Sequence, residues 1–333
     1  MTAGTNPRAI ASGDFNKDGN VDLVAANLGD ATVSVFIGSG SGAFASAVTY
    51  EVGSEPYQVI VADFNGDGYP DIATANFGGS EVSVLLNKGD GTFDTAVSYT
   101  VGSTPRALVA ADLTGNGDLD LAVADSAAAT VSILLGTGTG TFQSQIATSA
   151  GTVPHGIVAA DFNGDGHLDL AVVDNSTSGT VTLLLGAGTG YFTSGGTFSV
   201  GSSPYGIATG DLNADGNADL VTANEGSQSI SVLLGTGSGS FASAISYSAS
   251  GPAVSVSAAA LRGGSTLDIL VPTNTGDTVD IFTNSGSGTF SKSGTLSVTG
   301  AYGVAAADLD GDGTLDLAVA GSSGVSVFKG SCK

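Results

Sequence analysis

Apolar residues come in short runs of four to seven, separated by glycine-rich polar turns, and no run has the 3.6-residue rhythm of an amphipathic helix. One stretch serves for the rest. Tyr57–Ala62 is apolar, Asp71-Ile72-Ala73-Thr74-Ala75 is apolar and β-rich, and Val82-Ser83-Val84-Leu85-Leu86 alternates. After Asn87-Lys88-Gly89-Asp90-Gly91-Thr92-Phe93, the more polar run Val97-Ser98-Tyr99-Thr100-Val101 alternates again. Such runs predict four short antiparallel strands, A to D, joined by tight turns. With 52 glycines in 333 residues, a helical reading fails.

The unit recurs, starting near residues 7, 56, 105, 154, 204, 253 and 301. Its landmark is an acidic loop beginning at Asp14, Asp63, Asp112, Asp161, Asp211, Ala260 and Asp308, with intervals of 49, 49, 49, 50, 49 and 48 residues. A fixed period of this size with four strands per unit predicts an all-β, seven-bladed β-propeller of four-stranded antiparallel blades. The repeats leave no linker, so residues 1–333 read as a single domain. Strand A is rich in small residues, as in Val158-Ala159-Ala160 and Ala305-Ala306-Ala307, which suits the crowded strand at the central channel. The seventh repeat stops after Val325-Ser326-Val327-Phe328, so its blade is expected to lack its outer strand or borrow it.

The loop Asp63-Phe64-Asn65-Gly66-Asp67-Gly68-Tyr69-Pro70-Asp71 puts side-chain oxygens at positions one, three, five and nine. Carboxylates and an amide at alternate positions, with a backbone carbonyl at position seven and Gly68 at the sharp bend, suit a hard cation such as Ca²⁺. An EF-hand is excluded on two counts: strands flank the loop, and the twelfth position holds Ala25, Thr74, Val123, Val172, Thr222 or Val319 where Glu is required. Simple Asp/Asn turns would not explain a further acidic residue at position nine in six loops.

Formal net charge is −23 with eight Lys plus Arg, which argues against nucleic acid or an anionic membrane surface as partner. Twenty of the 31 acidic residues lie in the seven loops, so the acidity belongs chiefly to the proposed metal sites. Cys332 is the only cysteine, so no internal disulfide is available. Met1–Asn6 has neither a charged n-region nor an apolar h-region, and eighteen consecutive apolar residues occur nowhere. The expectation is a module of a longer exported protein, extracellular or at a cell surface, monomeric as an isolated domain and not inserted in a membrane. Loops of this kind suit millimolar extracellular calcium.

The phrase Leu134-Leu135-Gly136-Thr137-Gly138-Thr139-Gly140-Thr141-Phe142, set between each pair of strands B and C and the next acidic loop, resembles the FG-GAP or VCBS repeats. That family forms seven-bladed propellers in integrin α-subunits, bacterial surface and secreted proteins, and fungal lectins. The resemblance spans essentially the whole chain and implies calcium at Asp14, Asn16, Asp18 and Asp22; Asp63, Asn65, Asp67 and Asp71; and Asp112, Thr114, Asn116 and Asp120. It also implies Asp161, Asn163, Asp165 and Asp169; Asp211, Asn213, Asp215 and Asp219; and Asp308, Asp310, Asp312 and Asp316. Carbonyls of Asn20, Tyr69, Asp118, His167, Asn217 and Thr314 would complete about six structural Ca²⁺ sites. The third loop, with the fewest carboxylates in these positions, is expected to bind most weakly. The sixth keeps only Asp268 and carries Arg262, so no calcium is expected there.

Antiparallel strands put the acidic A-to-B loops on one face and the D-to-A and B-to-C turns on the other. There the residue after the turn proline is Arg8, Tyr57, Arg106, His155 or Tyr205, with Tyr302 at the equivalent place. This position takes two of three arginines, one of two histidines and three of eight tyrosines. Beside it, Asn27, Asn76, Asp125, Asn175, Asn224 and Asn274 are expected to complete a polar patch. The ring reads either as a ligand site or as a plug for the channel.

No Ser/His/Asp set is recognisable, and His155 is a lone candidate base. The sequence therefore favours a non-enzymatic interaction or adhesion module of a bacterial exported protein that binds a protein or surface partner with the face opposite the acidic loops. The alternatives are a calcium-dependent lectin binding glycans on the face opposite the metal loops, and an accessory domain of a polysaccharide lyase or hydrolase.

Overall fold

A strand whose two faces are both covered is apolar through its middle, with any polar residue given a hydrogen-bond partner. Strand B of each repeat has this form, four mostly apolar residues between a leading Asp and a small or polar last residue. Asp22–Asn27, Asp71–Asn76, Asp120–Asp125, Asp169–Asp174, Asp219–Asn224, Asp268–Thr273 and Asp316–Gly321 are buried at every residue. Strand A, such as Pro56–Ala62, is half-buried, and strand D, such as Val97–Thr100, is mostly exposed. The computed structural model describes residues 1–330, so Cys332 lies outside the described residues.

The strands form seven antiparallel sheets, six of four strands in the order A-B-C-D and a last one of three, with no helix among the described residues. The protein is a seven-bladed β-propeller. The three-stranded blade comprises Gly303–Ala307, Asp316–Gly321 and Gly324–Phe328. At its open edge, the Val325 amide donates to the Met1 carbonyl at 3.0 Å and the Met1 ammonium returns a bond to the Val325 carbonyl. Blade six is irregular on the channel side, where its strand A shrinks to Ser257–Ala259.

The core lies between blades. Phe64, Val82 and Val84 of blade two pack with Leu108, Leu121 and Phe142 of blade three. Ile10, Leu23 and Phe36 of blade one meet Leu309, Ala318 and Ala320 of blade seven, which closes the circle. The phenylalanine of the Gly-Thr-Phe turn has a defined partner. Phe93 lies edge-on to Phe15 of the preceding blade's acidic loop, with centroids 5.3 Å apart, and Phe142 and Phe241 stand likewise against Phe64 and Phe162 at 5.6 Å. Backbone bonds follow the same path, since Gly140 donates to the Phe64 carbonyl and Gly239 to that of Phe162. The first, second and fourth acidic loops are thus bolted to the next blade.

Candidate functional site

Strand A joins the two candidate sites. It starts at the ring residue and ends about 20 Å away at the acidic loop, at roughly 3.3 Å per residue.

The loops share one hydrogen-bond scheme. In the second, Asp63 Oδ1 accepts from Gly66 N at 2.8 Å and Oδ2 from Gly68 N at 2.7 Å, while Asp67 Oδ1 accepts from Tyr69 N at 2.8 Å. Asp71 is fully buried and accepts from Phe64 N at 2.9 Å and Asn87 N at 2.8 Å. Burial raises the Asp71 pKa to about 6, and the Asp67 and Asp63 carboxylates push the same way. Asp22, Asp120, Asp169 and Asp219 are raised for the same reason, burial first. Backbone amides lower Asp18, Asp165 and Asp215, the donors being Asn20, His167 and Asn217.

The donor set fits a hard cation. Carboxylate oxygens of Asp308, Asp310 and Asp316 come within 4.8 Å of one another, and the Thr114 hydroxyl of the third loop is buried without a partner. The His167 side chain is exposed. In the sixth loop Arg262 donates to Asp268 from Nε at 3.0 Å and Nη2 at 2.7 Å. A guanidinium there supplies positive charge beside the ninth-position carboxylate.

On the opposite face the ring residues converge. Arg8 Nη2 donates to the Tyr57 hydroxyl at 2.5 Å and the Tyr205 hydroxyl at 2.6 Å, and the two hydroxyls bond to each other. Arg106 Nη1 donates to the Tyr57 hydroxyl at 2.9 Å and lies 3.0 Å from His155 Nε2, which accepts. The Arg8 guanidinium stacks 3.9 Å from the Tyr57 centroid and 4.5 Å from that of Tyr302, and the Arg106 guanidinium lies 4.5 Å from the Phe77 ring. His155 is buried, and burial with the two arginines keeps its pKa well below the ordinary value. Burial also pushes the Tyr57 hydroxyl well above its usual range.

Local backbone aims these side chains. The A–B register shifts between Pro7 and Ala9, between Pro56 and Gln58, between Pro154 and Ile157, and between Pro204 and Gly206, so Arg8, Tyr57, His155 and Tyr205 occupy bulges; a shift at Asp125, opposite Pro105, does the same for Arg106. Asn6, Glu55, Thr104 and Ser203, each preceding the turn proline, have φ between 48° and 60°, left-handed backbone that costs non-glycine residues energy. Sequence reasoning found the ring by residue type but missed both devices; the recurrent polar residue before proline was the available signal.

The asparagine patch was misplaced. Asn27, Asn76, Asp125 and Asn224 are fully buried at the ends of strand B. The three amides donate at 2.9 Å to Ser34, Ser83 and Ser231 of strand C, and Ser132 donates to Asp125 at 2.6 Å. The serine hydroxyls in turn accept from the amides of Gly4, Gly53, Gly201 and Gly102. They are internal clasps that tie these four blades to their entering chains. The register ends at Asp174 and Thr273, so Asn175 and Asn274 stand one residue beyond the equivalent position.

A cavity of about 230 Å³ opens at the ring, lined by all six predicted residues together with channel-side residues of strand A such as Gln58. The scaffold is therefore a propeller carrying acidic loops on one face and a cationic aromatic ring on the other. FG-GAP-like repeats match residues 14–74, 63–123, 112–172, 161–222, 211–271 and 265–319, and the chain belongs to that family. No curated protein matches it in sequence.

Among solved structures, it resembles BBS1N, crystallised in complex with ARL6DN and soaked with lead, at TM-score 0.71 and 12% identity over 99% of this chain and 94% of that one. It resembles an Agrocybe aegerita lectin, described as specifically recognising non-reducing terminal N-acetylglucosamine, at TM-score 0.58 and 21% identity over 96% and 87%. A 6-phosphogluconolactonase-like protein of Bacteroides fragilis follows at TM-score 0.70 and 16% identity over 90% and 86%. At these identities the likeness is one of fold. No helix of the described residues is long and apolar enough to cross a membrane.

Proposed function

We propose that this chain is a calcium-stabilised, non-enzymatic interaction module of an exported protein, which binds a protein partner with the face opposite the acidic loops. The ring carries the reading: six side chains of scarce types, five of them set in bulges, meet at the mouth of one cavity. Evolved loops on a rigid scaffold are where recognition resides, and the BBS1N propeller is a precedent of fold for contact with a protein.

Ca²⁺ would be held by the six acidic loops named above and would supply positive charge among carboxylates that otherwise repel, which favours the folded chain. Catalysis finds little support. No acidic residue lines the cavity among the described residues, and His155 is buried and already bonded to Arg106. Carboxylate and base are therefore not paired for acid–base work.

The lectin reading is second. The Agrocybe aegerita lectin has a similar fold, but the Tyr57 ring is already covered by Arg8 and flanked by Phe77, 5.5 Å away. That leaves its face poorly placed to stack on a sugar. Partner capture from surface-protein extracts, beside a glycan array in millimolar calcium, tests both readings with wild type and a folded Tyr57→Ala/Tyr205→Ala/Tyr302→Ala variant. A protein bound by wild type alone supports the module, a glycan bound by wild type alone makes it a lectin, and capture unaffected by the substitutions moves the site off the ring.

A further inference from the structure

Of the seven basic residues among the described residues, four are paired with carboxylates: Lys88 with Asp94, Arg262 with Asp268, Lys292 with Asp280 and Lys329 with Asp310. Lys17 rests on the Tyr69 ring at the acidic face. Arg8 and Arg106 stand apart from all of these. They meet inside the channel mouth, where no carboxylate is among the lining residues. In a chain of formal charge −23, the two are placed where none of the 31 acidic side chains answers them.

Both guanidinium groups donate to one neutral oxygen, the Tyr57 hydroxyl, at 2.5 and 2.9 Å, so two like charges are held within a hydrogen bond of the same atom. The surrounding groups do not offset them. Tyr57 is held in its neutral form, Tyr205 contributes a hydroxyl, and His155 turns a lone pair to Arg106 and remains neutral. Aromatic faces give only partial compensation. A guanidinium has five N–H donors; among the described residues only Nη2 of Arg8 and Nη1 of Arg106 donate to protein acceptors, and Arg106 Nε is buried with none. Paired positive charges with spare forked donors, partly desolvated beside a cavity of about 230 Å³, are complementary to a small oxyanion.

We propose that the channel mouth binds a small oxyanion, a carboxylate or sulfate group, between Arg8 and Arg106. This rests on the reading of the ring as a ligand site and names the chemistry it selects. An anion there would relieve the repulsion between the guanidinium groups and take up the orphaned Nε–H. The cavity is small enough to admit one acidic group of a larger ligand, or a free acid of a few carbons.

The test is calorimetric titration of the calcium-loaded protein with malonate and, separately, sulfate, with malonamide as the uncharged analogue of malonate and sodium chloride holding ionic strength constant. Saturable binding of either anion, with none of malonamide, is expected, and the stronger of the two identifies the acidic group. Arg106→Gln and Arg8→Gln should each weaken it about tenfold or more, whereas Lys17→Gln on the acidic face should leave it unchanged. Because a ring variant could misfold, the wild type is also followed by NMR, where the Arg106 Nε–H resonance should move with malonate and stay fixed with malonamide. Absence of saturable binding by both anions, equal binding of malonamide, or full affinity in Arg106→Gln overturns the proposal. The titration involves no macromolecule, so a failed partner screen leaves it standing, and a silent titration leaves the partner reading intact.

Discussion

Arg262 grips Asp268 with two hydrogen bonds in the one acidic loop that has lost its other carboxylates, and its Nη2 also reaches the Asn284 carbonyl at 2.7 Å. Asp268 is fully buried, so removing the guanidinium leaves a desolvated carboxylate with the Asn284 amide as its remaining donor. The arginine side chain is about half exposed, which screens the pair and limits its worth. Arg262→Ala is expected to destabilise the protein by about 1–2 kcal/mol. The loss should be the same in calcium and in EDTA; a loss confined to calcium would show that this blade also holds metal.

The other loops should behave in the opposite manner. Asp67 stands at position five of the second loop with its carboxylate on the Tyr69 amide. Asp67→Ala should lower the melting temperature in calcium and have little effect in EDTA, because the lost contribution is ligand linkage, about 2.7 kcal/mol per site at a hundredfold excess over Kd. Equal losses in both buffers would count against a metal at that loop. Calcium titration of wild type should raise the melting temperature progressively over a range of concentrations, with Asp112→Ala giving the smallest change if the third loop is weakest.

Blade number, strand order and the three-stranded last blade were legible because a period near 49 residues carries them redundantly. The ring was legible because Arg, His and Tyr are rare here and fall at one register position. Neither signal reports what a side chain does after it turns. Asn27 and Asn76 look like surface-turn residues by type, yet a strand one residue longer than expected carries them inside, onto Ser34 and Ser83. The bulges at Arg8 and Tyr57 depend on A–B register, which no local pattern encodes. Pairing of Phe15 with Phe93 spans two blades, so it too is a property of closure.

Asp125 offers a pH test. It occupies the place of Asn27, Asn76 and Asn224, has one oxygen buried without a partner, and burial raises its pKa to about 6, against 3.8 ordinarily. Between those values the folded protein binds more protons than the unfolded one, so this group's contribution to stability falls as pH rises from about 4 to 6. Above that range the ionised carboxylate is a standing cost. Asp125→Asn should therefore stabilise the protein by about 1 kcal/mol at pH 7, with the gain shrinking towards pH 4. A variant less stable than wild type at pH 7 would mean that the Asp125 charge is compensated.

His155 should titrate with the opposite sign. Its folded pKa lies well below the ordinary 6.5, through burial first and then the charges of Arg106 and Arg8. Below pH 6.5 the unfolded chain takes up a proton that the folded chain refuses, so this contribution is fully present above the unfolded pKa and is lost as pH falls towards the folded one. The imidazole of wild type is expected to remain neutral at pH 5.5 by NMR, with Nε2 still accepting from Arg106. Arg106→Gln removes the nearer of the two charges and should raise the His155 pKa while the residue stays buried. An imidazole that titrates near 6.5 in wild type would mean that the channel mouth is hydrated enough to screen both arginines. It would then no longer hold the uncompensated charge that its neutral neighbours imply.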